Sequence, residues 1–209
     1  TFYQRRGKRA FDLAVGIAIG VVTLPVQAAV AATVATRLGR PVLFKQQRPG
    51  LDTVPFELVK FRTMTDTRDS TGELLPDAER LLPFGKFLRS TSLDELPEIY
   101  NVICGQMSLV GPRPLLMQYL ARYSDVDARR HEVRPGITGL AQVNGRNSAS
   151  WSQKFALDVE YVDNVSFWMD LKILLLTIKG VLVRDGINEP GAATATEFFG
   201  HTSTTVSVD

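Results

Sequence analysis

The sequence predicts a membrane-associated α/β protein with a re-entrant, kinked N-terminal membrane helix, a small antiparallel β-hairpin or sheet, and several amphipathic interfacial helices. Three observations predict this class. Residues 13–36 carry no charge, residues 41–64 hold two alternating segments around a turn, and much of the remaining chain has apolar residues at helical spacing. The 209 residues, 44% of them hydrophobic, suffice for one core. We expect three segments: a membrane helix with basic flanks (1–40), a catalytic domain (41–186) and a C-terminal tail (187–209).

The uncharged run near the N-terminus has the length of a membrane helix. A basic cluster at residues 4–9 precedes it, and Arg37 and Arg40 follow it. Its length of about 24 residues is enough to cross a bilayer. Pro25, near the middle, removes one helix hydrogen bond and predicts a kink. A kinked helix with cations at both ends can enter and leave by the same membrane face, although a plain single-pass anchor stays open as an alternative.

The segment after the membrane helix predicts a β-hairpin. Residues 42–46 and 56–62 form its strands, and the turn begins at residues 48–50. Lys60 and Arg62 are two positions apart in the second strand, so both side chains point to one face of the sheet. Two neighbouring cations there are either solvated surface charges or a clamp for phosphate.

Helices are predicted over much of the rest of the chain. Residues 81–88 form a short apolar segment with one lysine, which is typical of an amphipathic helix at a membrane interface. Arg89 follows directly and is expected within reach of Asp94 or of a bound phosphate. Further helices are predicted over residues 115–131, 151–163 and 169–183. The third lies in the membrane interface or packs on the N-terminal helix, and both interpretations stay open.

Two adjacent carboxylates, Asp94 and Glu95, begin the most informative stretch of the chain. Ser92 and Glu95 have the spacing of a capping box, and apolar residues then recur at helical spacing through residue 103. At the positive end of a helix dipole both acids stay ionised, and the same position suits phosphate. They are candidates for a nucleophile or a magnesium ligand. The structural alternative is that both acids only cap a helix.

Two later segments carry further polar candidates. Arg113 lies between two prolines, which restrict its backbone and suit a preorganised guanidinium for a phosphate. Residues 134–147 predict a loop rich in glycine and amides. Such a loop can bind a polar ligand, although surface turns have the same composition. Its candidate ligand-binding residues are Arg134, Gln142, Asn144 and Arg146.

Composition excludes several other kinds of site. The formal charge is only +2, and no concentrated basic patch with aromatic residues indicates nucleic acid. The single cysteine, Cys104, forms no disulfide framework and is expected in the core. With His131 and His201 as the only histidines, a histidine-based zinc site or a Ser-His-Asp triad is poorly supported. We expect the chemistry to depend on carboxylates and arginines.

Four motifs in order resemble the monotopic phosphoglycosyl transferases of the bacterial sugar transferase family. They are residues 60–64 (KFRTM), 93–97 (LDELP), 108–114 (SLVGPRP) and 134–139 (RPGITG). The resemblance extends from about residue 9 to about residue 186, and the short chain is similar to the minimal members. One departure is at the membrane break, where the family often has Ser-Pro and this chain has Leu24-Pro25, with Thr23 one position earlier.

The resemblance implies a reaction and its participants. The substrates are a UDP-sugar and undecaprenyl phosphate, the cofactor is Mg²⁺, and membrane lipids are partners. Asp94 attacks the β-phosphorus, UMP leaves, and the lipid phosphate then takes the sugar phosphate from Asp94. Asp94 and Glu95 are the implied metal ligands. The cations implied to hold phosphate are Lys60, Arg62, Arg89 and Arg113.

The same resemblance implies a place in the cell. The enzyme is expected in the bacterial inner membrane, with its active site facing the cytoplasm, at the first membrane step of surface glycan synthesis. Residues 189–194 vaguely resemble members that use N-acetylated amino sugars, which favours such a sugar, and a homodimer is left open. Two other functions remain as alternatives: a membrane-anchored phosphohydrolase that uses water as the acceptor, and a non-catalytic membrane scaffold.

Overall fold

A computed structural model describes residues 3–144, 149–183 and 197–200, and the structural statements below refer to these residues. A π-helical turn at Tyr3–Gly7 leads into the first helix. The α-helices are α1 (Lys8–Arg37), α2 (Asp77–Arg80), α3 (Pro83–Ser90), α4 (Glu98–Ile103), α5 (Asp125–Ala128), α6 (Leu140–Asn144), α7 (Trp151–Asn164) and α8 (Phe167–Val183). The strands are β1 (Leu43–Pro49), β2 (Pro55–Phe61), β3 (Ser108–Val110) and β4 (Gly136–Thr138).

The N-terminal helix α1 continues through Pro25 for 30 residues, so the break predicted there is not confirmed. Proline leaves one helix carbonyl without its usual donor, but side chains add local hydrogen bonds nearby. The Thr23 hydroxyl donates to the Ile19 carbonyl at 2.7 Å, and the Gln27 amide donates to the Thr23 hydroxyl at 3.0 Å. By length and composition α1 can cross a membrane.

Helix α1 packs on the rest of the protein near its two ends, where its buried residues are Asp12 and Gly16 and then Val30 and Val34. Gly16 and Gly20 face α4, and a β-carbon at either position would be in van der Waals contact with Val102 or Ile99. Near the other end, α1 shares a second hydrophobic cluster with β2 and α3. The middle of the helix exposes a surface of large apolar side chains, namely Ile17, Val21, Val22, Leu24 and Val26. Helix α1 therefore takes part in two hydrophobic clusters, one toward each of its ends.

Strands β1 and β2 form the predicted antiparallel hairpin, with Leu43 opposite Phe61 and Pro49 opposite Pro55. A 3₁₀ turn at Leu51–Thr53 connects them. The inward residues of β2 enter the main core together with α4, β3, α7 and α8. Because the strand alternates, Lys60 lies on the face that is turned toward the segment before α4.

A second, parallel pair of strands, β3 and β4, was not predicted. It replaces the first part of the loop expected over residues 134–147, and α6 replaces most of the remainder. Gly111, Gly136 and Gly139 explain why this is feasible: a β-carbon on Gly136 would overlap the backbone of Gly111, and one on Gly139 would overlap the Gly111 carbonyl. These glycines serve close backbone packing rather than a flexible ligand loop.

The remaining helices agree in part with the predictions. Helix α7 is confirmed, whereas the helix expected over 115–131 is broken into 3₁₀ turns around the short α5. Helix α8 packs one face against the N-terminal segment, with Tyr3 and Phe11 both contacting the Phe167 ring. Its other face exposes Trp168, Leu175, Ile178 and Val181. Packing on the N-terminal segment is therefore confirmed, and a location in the membrane interface stays a prediction.

One smaller prediction also differs from the structure, and one predicted segment is described only in part. Cys104, expected in the core, is exposed, because it follows the last residue of α4. Of the C-terminal tail, residues 197–200 are described, and Phe198 is buried against Tyr119 and Phe155. Residues 189–194, which suggested the sugar, lie outside the described residues.

Candidate active site

The two carboxylates lie in a 3₁₀ turn, Leu93–Glu95, that precedes α4. The predicted capping box is wrong: the Ser92 side chain makes no capping hydrogen bond, and its backbone adopts the left-handed conformation with φ of 55°. The helix begins only at Glu98, after Pro97. This turn directs the Glu95 side chain away from the helix end and toward the cations described below.

Glu95 is held by two cations from distant parts of the chain. Lys60 of β2 donates to its Oε1 atom at 2.7 Å, and Arg113, which follows β3, donates to the same oxygen at 2.5 Å. The side chains of Lys60 and Glu95 are 17% and 18% exposed, whereas that of Arg113 is 43% exposed. Arg113 is therefore the member of this cluster that solvent and a ligand reach most easily.

Glu98 is a third carboxylate at this site that the sequence analysis did not propose. Its Oε1 atom lies 2.9 Å from the Lys60 Nζ atom, and the residue is 2% exposed. The buried Asn101 fixes α4 against β2, because its amide accepts from Val59 N–H and donates to the Glu57 carbonyl. The signal was available: Glu98 follows Glu95 by three positions, the spacing of one helix face.

Burial and neighbouring charge separate the three acids. Burial, together with the charge of Glu95, raises the pKa of Asp94 to about 6, against the opposing effect of Lys60. Burial also raises the pKa of Glu98 to about 7. For Glu95 burial acts in the same direction, but the charges of Arg113 and Lys60 outweigh it and hold its pKa well below the usual range. Glu95 is the permanently ionised member of the three.

Arg89 completes the surroundings of Asp94. Its charge lowers the pKa of that carboxyl, and its Nε atom donates to the Thr63 hydroxyl at 3.1 Å. Helix α3 carries Arg89 and lies directly on the Thr63 backbone, because Gly85 has no side chain to separate them. The structure thus brings together Asp94, Glu95, Lys60, Arg89 and Arg113 of the predicted site residues.

The other predicted ligand-binding residues lie elsewhere. Arg62 donates to the Leu38 carbonyl and pairs with Asp66 at 2.6 Å, so it links the end of α1 to the hairpin. The Arg134 Nε atom donates to the Gly105 carbonyl at 2.8 Å. Asn144 donates to its own helix, and Gln142 packs beside Gly139. Arg146 lies outside the described residues.

The donor set is compatible with a magnesium ion that is bound mainly through substrate. Mg²⁺ takes one or two protein carboxylates and completes its shell with phosphate oxygens and water. Glu95 already forms ion pairs with two cations, whereas Asp94 forms no ion pair with any described residue. No group of three or more metal-binding side chains occurs in the described part of the chain. Asp94 is thus the better-placed metal ligand, with Glu95 beside it.

Comparison with known proteins assigns the chain to a family. The sequence model of the family described as bacterial sugar transferase matches residues 3–184. The chain belongs to this family. The resemblance noted from the four motifs is confirmed. An uncharacterized sugar transferase of Bacillus subtilis (strain 168), EpsL, is 56% identical over 193 residues, which are 92% of this chain and 96% of that protein.

Two other relatives have names that specify a reaction. The UDP-glucose:undecaprenyl-phosphate glucose-1-phosphate transferase of Klebsiella pneumoniae is 40% identical over 82% of this chain. The undecaprenyl-phosphate galactose phosphotransferase of Salmonella typhimurium is 39% identical over 86% of this chain. The matched regions are 39% and 41% of those two proteins. This chain therefore spans about two fifths of their length.

Proposed function

We propose that this protein transfers a sugar 1-phosphate from a UDP-sugar to undecaprenyl phosphate and releases UMP. The observation that carries the proposal is the arrangement around Asp94: a buried carboxylate beside Glu95, whose own charge Lys60 and Arg113 already neutralise. The printed names of the relatives from Klebsiella and Salmonella, which specify undecaprenyl phosphate and a sugar phosphate, support the reaction.

The transfer proceeds in two displacements at one carboxylate. An Asp94 oxygen attacks the β-phosphorus of the UDP-sugar, the bond from that phosphorus to the bridging oxygen breaks, and UMP leaves with the electron pair. The product is a phosphoglycosyl-aspartate, an acyl phosphate that is reactive enough to pass the group on. An oxygen of the lipid phosphate then attacks the same phosphorus, and the Asp94 carboxylate leaves. The product is a polyprenyl diphospho-sugar.

The neighbouring residues supply positive charge where the phosphates lie. Arg113 and Arg89 bind the diphosphate, and Lys60 stays between Glu95 and Glu98 and adds to the positive potential. Glu95 keeps Lys60 and Arg113 in position beside Asp94. Asp94 and Glu95 would hold a bound Mg²⁺, which would supply positive charge to the diphosphate and to the UMP leaving group. Because the protein already positions these charges, little reorganisation accompanies the displacement.

We also propose that the protein is monotopic, in the bacterial inner membrane, with this site facing the cytoplasm. Near the start of α1, Arg9 donates to the Val102 carbonyl of α4, and at its other end Leu38 packs beside Leu88. A helix that contacts one folded body at both ends cannot leave that body to cross a bilayer. The exposed apolar face of α1 instead lies among lipids, next to a substrate that cannot leave the bilayer.

The sugar and the oligomeric state remain predictions. An N-acetylated amino sugar is the one that the tail suggested, and the relatives' names add glucose and galactose to the panel to be tested. A homodimer is likewise a prediction. Size measurement of the detergent-solubilised protein by light scattering distinguishes one copy from two.

The decisive experiment is mass spectrometry of the purified protein after incubation with single UDP-sugars and Mg²⁺, without lipid acceptor. We expect a mass gain of one sugar phosphate, an equivalent amount of UMP, and the loss of both when Mg²⁺ is chelated. Asp94→Asn should give neither adduct nor UMP. Its matched control is Asp163→Asn, which removes an exposed carboxylate from α7 and should form the adduct normally. The sugar that gives the adduct is the substrate.

The remaining outcomes separate the alternatives. Continuous release of free sugar phosphate without lipid indicates the phosphohydrolase. Neither adduct nor UMP from any UDP-sugar, in a folded and membrane-bound protein, contradicts the transferase and leaves the scaffold. Sealed inverted vesicles test the topology: cysteines placed singly at both ends of α1, in a Cys104→Ser background, should react with an impermeant reagent from the same side.

A further inference from the structure

In the described part of the chain, the backbone hydrogen bonds of the segment that carries Arg113 are made by its carbonyl oxygens. Pro112 and Pro114 have no N–H groups, so the segment 112–114 has little to donate. Each of its three carbonyls instead accepts from another part of the chain. The donors are the Gly136 N–H at 3.0 Å for Pro112, the Arg130 guanidinium at 2.7 Å for Arg113, and the Arg48 guanidinium at 3.3 Å for Pro114.

Arg130 is itself fixed by a buried ion pair. Its Nε and Nη2 atoms donate to the same Asp158 oxygen at 3.0 and 2.8 Å, and its Nη1 atom donates to the Tyr123 hydroxyl at 3.3 Å. Arg130 and Asp158 are 2% and 3% exposed. Two charges removed from water are costly, and such a pair often stabilises no more than an apolar one would. Its presence here points to a task other than stability.

The contacts of Arg130 indicate the role of this ion pair. Its Nη2 atom serves both Asp158 and the carbonyl of Arg113, so Asp158 on α7 is connected through one guanidinium to the backbone of a site residue. Arg130 and Asp158 form no ion pair with Asp94, Glu95 or Lys60 among the described residues. Their effect on the site must act through the position of Arg113.

We propose that Arg130, held by Asp158, is a positioning residue that fixes the backbone from which the Arg113 guanidinium reaches the active site. This inference rests on the proposed function for the role of Arg113 toward phosphate. The Arg113 side chain has only Glu95 as an ion-pair partner in the described structure and is 43% exposed. The location of its guanidinium therefore depends on its backbone, and a displacement of about 1 Å can cost about a hundredfold in rate.

The chain offers a matched control for this pair. Arg129 and Asp163, neighbours of the first pair on the same two elements, form an ion pair at 2.5 Å whose side chains are 38% and 49% exposed. That pair has no contact with Arg113 among the described interactions. Asp158→Asn and Asp163→Asn thus remove the same charge from the same helix, but only the first weakens the support of Arg113.

The first test measures steady-state UMP release against UDP-sugar concentration, with Mg²⁺ and saturating undecaprenyl phosphate as the acceptor. Asp158→Asn should lower kcat by about tenfold to a hundredfold, and Asp163→Asn should stay within about twofold of the parent. In an Arg113→Ala background, Asp158→Asn should cause no further loss, because the residue that it positions is gone. A full additional loss in that background overturns the proposal and assigns Asp158 a general structural role. If Asp158→Asn does not fold, Arg130→Lys replaces it, since lysine keeps the charge and cannot make all these bonds.

The second test does not depend on activity. Hydrogen exchange of a peptide covering residues 109–116 should become faster in Asp158→Asn and stay unchanged in Asp163→Asn, with the peptides of α1 as an internal reference. Unchanged exchange in Asp158→Asn contradicts the positioning role. If the parent protein releases no UMP from any UDP-sugar, the proposed function fails while this exchange experiment still decides whether Arg130 and Asp158 hold the segment.

Discussion

Two carboxylates of this protein, the fully buried Asp170 and the partly buried Glu95, have opposite surroundings. Asp170 is fully buried and accepts hydrogen bonds from Tyr3 at 2.6 Å, Lys8 at 2.7 Å and Tyr161 at 2.7 Å. One acid there satisfies three donors and joins the N-terminal segment to α7 and α8. Around Glu95 the surroundings differ, because two further acids, Asp94 and Glu98, lie near the same cations. The pKa values of both are raised.

The difference teaches what each cluster does. A buried acid whose oxygens are all occupied by donors adds rigidity and has no capacity for a ligand. In the second cluster Lys60 and Arg113 are directed to Glu95, and Asp94, which forms no ion pair with a described residue, stays available for a phosphorus atom or a metal. Perturbed carboxyl groups of this kind concentrate at functional sites. The predictions below separate the two clusters, from the largest expected effect to the smallest.

The largest effect should come from Asp94→Asn. The amide cannot form the acyl phosphate, so UMP release should fall by at least about a thousandfold. The thermal unfolding midpoint should stay the same or rise, because the variant no longer buries a charge. The measurements are UMP release and calorimetry on the same sample. Retained turnover would show that Asp94 is not the nucleophile.

Asp170→Asn should have the reverse signature. Removal of the charge leaves the partly buried Lys8 without its ion-pair partner and should lower the free energy of unfolding by about 3 kcal/mol. UMP release per folded molecule should change little, because Asp170 belongs to the other cluster. Chemical denaturation provides the measurement, with Asp163→Asn as a control that should change stability by less than about 0.5 kcal/mol. Normal stability in Asp170→Asn would contradict the structural role.

The third prediction concerns pH. Asp94 must be ionised to attack, and its pKa in the free protein is raised to about 6. The rate is therefore complete above this pH and lost below it, and kcat/KM for the UDP-sugar should fall about tenfold for each pH unit below about 6. A profile that stays flat down to pH 5 would contradict this assignment.

The smallest effect should come from Glu98→Gln. The folded protein raises the pKa of Glu98 from 4.5 to about 7. The wild-type stability that the protonated carboxyl contributes is thus complete below about pH 4.5 and lost as the pH rises through about 7. The glutamine variant does not titrate, so its stability relative to wild type should increase by about 1 kcal/mol or more between pH 5 and pH 8. Parallel denaturation curves at the two pH values test this.

The sequence and the structure agree best where a property is local. The apolar run that became α1, the alternation of β2 and the helical spacing of α7 depend on residues close in the chain, and periodicity reports them directly. The capping box at Ser92 failed because Glu95 belongs to a tertiary site and Ser92 adopts a left-handed backbone conformation. Lys60 and Arg113, 35 and 18 residues from Glu95 in the chain, bind its carboxylate more strongly than a helix N–H would.

Arg62 and the glycines also show that a local sequence pattern does not predict a tertiary partner. Arg62 shares a strand face and a motif with Lys60, yet the end of α1 lies within its reach and takes its hydrogen bonds. Gly136 and Gly139 have the composition of a surface turn, but the Gly111 backbone lies against both. No local pattern reveals a partner of this kind, because the partner comes from a different part of the chain.

The sequence by itself determined the class of the protein: a long apolar helix, a hairpin, an Asp94–Glu95 pair and a Pro112–Arg113–Pro114 segment that together resemble one family. Composition and spacing suffice for this, since they determine which segments are hydrophobic enough to be buried and which residues a turn accommodates. Only the tertiary structure decided which of two adjacent acids is neutralised and which arginine reaches it. Charges interact across space rather than along the chain, so their pairing exists only once β2, α4 and the segment after β3 have come together.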